Sequence, residues 1–138
     1  MYALRVVLTT FFALAISVSS AAVAPRQVGN LACNVARVKT VAALGSTGDA
    51  ISNIADPATQ TAAQAGLDQA NGGIKAIAGA LLSGDAAPAS GRDDVAAGLA
   101  AMNATLAAGD VSDTAVSDAL AAVADATSAG QDVVSECK

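Results

Sequence analysis

Between Pro57 and Ser83 apolar residues fall at Leu67, Ala70, Ile74, Ile77 and Leu81, three and four positions apart, among Ala, Gly and small polar residues. A stripe of that period is one face of a helix, and it must be buried against other helices or something apolar. The same pattern recurs elsewhere. Val28, Leu31, Val35, Val38 and Ala42 form a stripe that Gly45 is placed to end. Cys33 falls off that stripe, so this helix either buries two faces or starts later than Val28. Gly45-Ser-Thr-Gly48 then reads as a turn, with a short helical turn around Ile51 and Ile54. Val95, Leu99, Met102 and Leu106 mark a third helix that runs to about Ala108 before Gly109. Val116, Leu120, Val123 and Val134 mark the last one, and Cys137 follows Val134 at a spacing that faces inward. No strand-like alternation competes with this pattern. The sequence predicts an all-α fold, an Ala-rich bundle of four or five helices.

The two counts differ over one dipeptide. Gly72 and Gly73 each cost about 1 kcal/mol against Ala in a helix interior. They either break the second helix into segments near 57–71 and 73–83, or let a neighbouring helix approach closely. Other boundaries have sharper signals. Asp56-Pro57 is a cap followed by a first-turn proline. After a loop at 84–89, Ser90-Gly-Arg-Asp93 resembles a capping box, and Val111, Ser112 and Val116 resemble a hydrophobic staple around a serine cap.

The chain begins with a short basic start at Arg5, an apolar run from Val6 to Val18, and small residues from Ser19 to Ala24. That order predicts a secretory signal peptide over residues 1–22, with cleavage after Ala22, because Pro25 disfavours cleavage after Ala24. Residues 23–138 are enough for a single helical-bundle domain. No second apolar run of membrane length follows and the C-terminus is polar, so neither a membrane span nor a lipid-anchored tail is expected. The expected location is extracellular or the cell wall.

Without the signal peptide the chain has no aromatic residue, since Tyr2, Phe11 and Phe12 all lie in it, and the sequence has no His or Trp at all. Six basic residues then face twelve acidic ones, a net charge of −6, a sign that repels nucleic acid and anionic headgroups. Ala supplies most of the hydropathy and buries little area per residue, at about 25 cal/mol per Å², so the core is thin. The two remaining cysteines, Cys33 and Cys137, are most simply a disulfide in a secreted chain. Closing a loop of about 100 residues is worth about 4.7 kcal/mol in the chain-entropy account.

Catalytic chemistry is poorly supplied. Nucleophilic triads and Cys–His pairs lack an imidazole, and the acids are scattered on polar faces. Asp110, Asp113 and Asp118 do not match a calcium-hand loop, and Leu44-Gly-Ser-Thr-Gly48 lacks the lysine of a phosphate loop. No catalytic residue, metal or cofactor is expected, and the chain is read as a non-enzyme. Asn103-Ala-Thr105 is an N-glycosylation sequon. By helical period Asn103 sits about 70° off the centre of its stripe, toward solvent.

The layout resembles the fungal hydrophobic surface binding protein A family, also known as cell wall galactomannoproteins. The likeness rests on the signal peptide, on the early helix Leu31-Ala-Cys-Asn-Val-Ala-Arg-Val-Lys-Thr-Val-Ala-Ala-Leu44, and on Ala-rich amphipathic helices nearly free of aromatics. It implies a secreted, non-catalytic bundle that adsorbs to hydrophobic surfaces or holds lipid between its helices. The Cys33/Cys137 bracket matches no defining motif of that family.

The sequence thus predicts a secreted protein that binds an apolar surface, or a lipid such as a fatty acid, between amphipathic helices. The candidate contacts are Leu67, Ile74, Ile77, Leu81, Leu99, Met102, Leu106, Leu120 and Val123. The alternative is a protein-interaction or cell-wall structural module whose acidic face meets another secreted protein and whose core is only a core.

Overall fold

The structure is a computed structural model and describes residues 30–137. The expected signal peptide (1–22), the following segment with Pro25 and Val28, and Lys138 lie outside the described residues. Four helices follow one another: α1 (Leu31–Ile51), α2 (Pro57–Leu82), α3 (Ala89–Ala108) and α4 (Thr114–Glu136). No strand occurs among the described residues.

α1 starts at an asparagine cap, with Asn30 Oδ1 accepting the Cys33 N–H at 3.1 Å. It then runs straight through Gly45-Ser-Thr-Gly48, where the sequence reading places a stop and a turn. Its buried residues are Cys33, Ala36, Thr40, Leu44, Thr47 and Ile51, a row at helical spacing that carries across both glycines. Burial of Thr47 and Ile51 outweighs the glycine propensity cost of about 1 kcal/mol each. The Thr40 and Thr47 hydroxyls donate to the carbonyls of Ala36 and Ala43, at 3.0 and 2.9 Å, so neither enters the core unpaired. The stripe expected to face inward, Leu31, Val35 and Val38, lies on the opposite side and is exposed. Cys33 sits on the face that is buried.

α2 begins as the sequence predicts. Pro57 is in the first turn, and the Asp56 carboxylate accepts both the backbone N–H and the hydroxyl of Thr59, at 2.8 and 2.6 Å. The helix is unbroken through Gly72 and Gly73 for 26 residues, so the bundle has four helices and not five. The two glycines differ in kind. Nothing lies within 4 Å of a Cβ placed on Gly72, whereas one on Gly73 would collide with the Gly91 carbonyl of α3. Two turns away, a Cβ on Gly98 would sit 2.5 Å from the Gly66 carbonyl oxygen and 2.6 Å from the Ala70 nitrogen. Gly66 and Gly73 on α2 thus oppose Gly98 and Gly91 on α3, letting the two antiparallel backbones touch at points seven residues apart.

Between them the chain turns at Gly84, whose φ of 84° is left-handed. The Asp85 N–H reaches the Ala80 carbonyl and the Gly84 N–H that of Leu81, a double closure of the helix end. The expected capping box at Ser90 does not form. α3 starts from Pro88 with no side-chain cap bond, and Ser90 already lies in its first turn. Gly91 must be helical by then to meet Gly73, which moves the start upstream.

α4 is capped by Asp113, not Ser112. Asp113 Oδ1 accepts the Ala115 N–H and Oδ2 the Ala55 N–H, both at 2.9 Å, so one carboxylate ties the α1–α2 and α3–α4 loops together. Ser112 instead donates to Asp110, at 2.6 Å, and Val111 is exposed, so the expected staple is absent. The buried row of α4 is Val116, Ala119, Val123, Ala126 and Ala129, continued by half-buried Val133 and Cys137. Val134, expected to face inward, is exposed. Small residues hold the inward row where the sequence reading looked for larger ones.

The helices alternate in direction. α1 packs closely on α4 and α2 on α3, while α1–α2 and α3–α4 contacts are sparser. Each pair meets through Ala, Gly or Thr, and the two pairs meet through larger side chains: Leu44, Ile51, Ile54, Leu67, Leu99, Met102, Leu106, Val116 and Val123 form one buried cluster. A Cys33–Cys137 disulfide, with Cα atoms 4.9 Å apart and a sequence separation of 104, joins the start of α1 to the end of α4. The fold is therefore an all-α bundle of four helices closed by one terminal disulfide, as the sequence predicts.

Two comparisons check these packing assignments in urea denaturation. Gly98→Ala, which forces the α2 and α3 backbones apart, should cost about 1–3 kcal/mol as overpacking, whereas Gly72→Ala should stabilise by about 0.5–1 kcal/mol. Equal effects would contradict the close approach at Gly98. The Cys33→Ser, Cys137→Ser double variant should lose about 2–4 kcal/mol, with the helical circular-dichroism signal retained in the absence of urea.

Candidate functional site

The nine candidate contact residues do not all come together. Leu67, Leu99, Met102, Leu106 and Val123 are buried in the cluster between the two helix pairs, with Met102 and Leu106 fully enclosed. Ile74 and Leu120 are half-buried and pack against its edge. Ile77 and Leu81 are also half-buried but lie farther along α2, outside the cluster. Ile77 instead reaches toward Gly91 of α3. These side chains are packed on one another, with Leu44, Ile51 and Ile54 filling the space between them.

Two surface depressions are distinct from that cluster. One of about 340 Å³ runs between α1 and α4 past Lys39, Asp125 and Asp132, and one of about 450 Å³ lies over the first turns of α2 past Gln60, Gln64 and Asp68. Both are open and edged with polar groups, and none of the nine residues lines either.

The apolar surface that is accessible lies on α1. Leu31, Val35 and Val38 follow one another at four and three residues on the side facing away from α4, and are 76, 45 and 69% exposed. Ala42 continues the row, and Val41 flanks it, also exposed. Scattered exposed apolar residues are ordinary, whereas these form a contiguous row on one helix face. The sequence reading found these residues and assigned them to the wrong side. The available signal was Cys33: a cysteine committed to a disulfide fixes which face turns toward α4, and the Leu31 row lies opposite it.

Charge is distributed unevenly around this face. Every acidic residue of the chain lies at Asp49 or beyond, so α1 up to Gly48 carries only Arg37 and Lys39. Asp118, Asp125 and Asp132 recur at seven-residue spacing along α4, and all three are exposed. From Leu31 to Val38 the row thus has no carboxylate from its own helix, whereas farther along Asp49 follows Ala42 at seven residues, and Asp125 and Asp132 border the depression that Ala42 lines.

Both cysteines are in the disulfide, and among the described residues no group of three or more His, Cys, Asp or Glu side chains is placed to hold a metal ion. No described helix is long and apolar enough to cross a membrane. The carboxyls held below their ordinary value do structural work: the Thr59 hydroxyl and N–H stabilise ionised Asp56, and the Ser112 hydroxyl and N–H stabilise ionised Asp110. Asn103 is exposed on α3. Comparison with protein families, with curated proteins and with solved structures finds no match for the chain.

The two lowered carboxyls set a pH dependence. Their folded pKa values lie below the unfolded ones, so their contribution is complete above the unfolded value and is lost as pH falls through the folded values. Thermal midpoints should be flat above about pH 5 and fall below about pH 4. In the Thr59→Ala, Ser112→Ala double variant that acid-side fall should be shallower, because the folded pKa values return toward the unfolded ones. An unchanged pH profile in this variant would contradict the assignment.

Proposed function

We propose that this is a secreted, non-catalytic protein that binds apolar surfaces through the outer face of α1. The observation that carries the reading is the exposed Leu31–Val35–Val38 row, on a stretch of α1 whose own charged residues before Asp49 are Arg37 and Lys39. Burying a Val or Leu side chain is worth about 1.5–3 kcal/mol, so a few such residues against an apolar phase support reversible adsorption. The disulfide suits an oxidising, extracellular setting. It also pins α1 to α4, so that α1 can take up a surface without peeling from the bundle. The likeness to the fungal hydrophobic surface binding protein A family points the same way.

Lipid held between the helices is a second reading, favoured by one observation. The contacts between the two helix pairs are sparser than those within each pair, so separating α2 and α3 from α1 and α4 exposes Leu67, Leu99, Met102, Leu106 and Val123 without breaking either pair. Native mass spectrometry distinguishes the two, since only the second predicts a bound acyl chain that is lost on denaturation. A partner protein met by the acidic side would leave both measurements negative.

Adsorption to alkyl-coated beads tests the main reading. The wild-type protein should partition to the beads, and Val35→Asp with Val38→Asp should weaken partitioning by at least about tenfold, equivalent to 1.4 kcal/mol. Both sites are exposed, so thermal stability should hardly change. Adsorption that is absent, or is unaffected by the double substitution, would overturn the assignment to α1.

A further inference from the structure

We propose that Asn103 carries an N-linked glycan, and that this glycan stands clear of the apolar face of α1. The inference rests on the secreted reading above and concerns a site that reading does not use. Asn103-Ala-Thr105 is an acceptor sequon, and the structure places Asn103 exposed on α3 while Met102 and Leu106 beside it fill the core. Its amide makes none of the side-chain hydrogen bonds that occupy Asn30, Asn53, Gln60 and Gln64. On the same flank Ala96, Ala100 and Ala107 are exposed and present only methyl groups, so these neighbours on its own helix leave room for a sugar at Nδ2.

The order of residues along the chain favours the transfer. The bond that closes the fold uses Cys137, the penultimate residue. The sequon is therefore made, and enters an oxidising compartment, before the disulfide can lock the bundle. A single helix is marginal on its own, so the sequon is presented in an extended chain. The donor is a polyprenyl-diphosphate-linked oligosaccharide and the catalyst a transferase of the secretory pathway. The bond from the sugar C1 to the diphosphate oxygen breaks, a bond from C1 to Asn103 Nδ2 forms, Nδ2 gives up one proton to a base of the transferase, and the polyprenyl diphosphate leaves.

The arrangement of helices then separates the two surfaces. α1 neighbours α2 and α4, and so does α3, which puts α1 and α3 at diagonal corners of the bundle. A glycan on α3 extends away from the Leu31–Val38 row, leaving that row free to meet a surface.

The test uses the full chain secreted from a eukaryotic host, with intact mass measured before and after peptide-N-glycosidase treatment. Wild type and Thr105→Ser should both lose the mass of one N-linked oligosaccharide, and Asn103→Gln and Thr105→Ala should show neither the glycan nor the loss. Adsorption to alkyl-coated beads should be the same for treated and untreated wild type. Secreted wild type without the glycan would overturn the site. A change in adsorption on removing the glycan would overturn its placement clear of α1. Glycosylated protein that does not adsorb at all would support the site and count only against the surface reading.

Discussion

Close approach of helix backbones at positions without a bulky side chain is the constraint on which this molecule depends. Gly66 and Gly73 against Gly98 and Gly91 bring α2 and α3 into backbone contact at two points, and Ala36, Ala119, Ala126 and Ala129 line α1 and α4 where the other pair packs closely. Such contacts gain dispersion and exclude water with little side-chain entropy lost, which suits a chain poor in large apolar residues. They also fix the arrangement. Two tightly joined pairs leave only the larger residues, such as Leu67, Met102, Leu106 and Val123, to fill the space between the pairs.

Much of this was legible in the sequence, and the failures come where burial or a distant neighbour overrides a local signal. The all-helical class, the Asp56-Pro57 start, the Gly109 end and the Cys33–Cys137 bond follow from signals that act locally or by counting. The stripes of α2 and α3 were also readable, since Leu67, Leu99, Met102 and Leu106 are both the largest and the buried residues. α1 inverted that logic. Its buried row is mostly Ala and Thr, its exposed row is Leu and Val, and a reading weighted by side-chain size chooses the wrong face. Val134 was preferred to Val133 for its spacing to Cys137, and Gly45 was read as a stop, with a turn to Gly48, from glycine's local propensity alone. Whether Gly73 broke a helix or admitted a neighbour depended on Gly91, some distance along the chain, which no local rule supplies.

The inverted helix is also what links the fold to the proposed adsorption. Because Ala36, Thr40 and Thr47 suffice to seat α1 against its partner, Leu31, Val35 and Val38 are not needed for the bundle. They remain available for contact outside it. The disulfide and the Asn30 amide, which donates to the Glu136 carbonyl, secure the end of α1 where that exposed row begins. A helix held this way offers a rigid apolar face, so adsorption needs little ordering of the chain. Leu67, Leu99, Met102, Leu106 and Val123, five of the contact residues proposed from the sequence, have the complementary position, packed between the two pairs.

The most direct test uses the absence of tryptophan in the chain, which makes a single introduced indole an unobstructed reporter. Val38→Trp places it on the outer face of α1 and Ala104→Trp on exposed α3. On addition of an alkane-in-water emulsion, the account predicts a blue shift of the Val38→Trp emission and none for Ala104→Trp. A shift at position 104 alone, equal shifts at both, or none at either would contradict α1 as the face that meets an apolar surface.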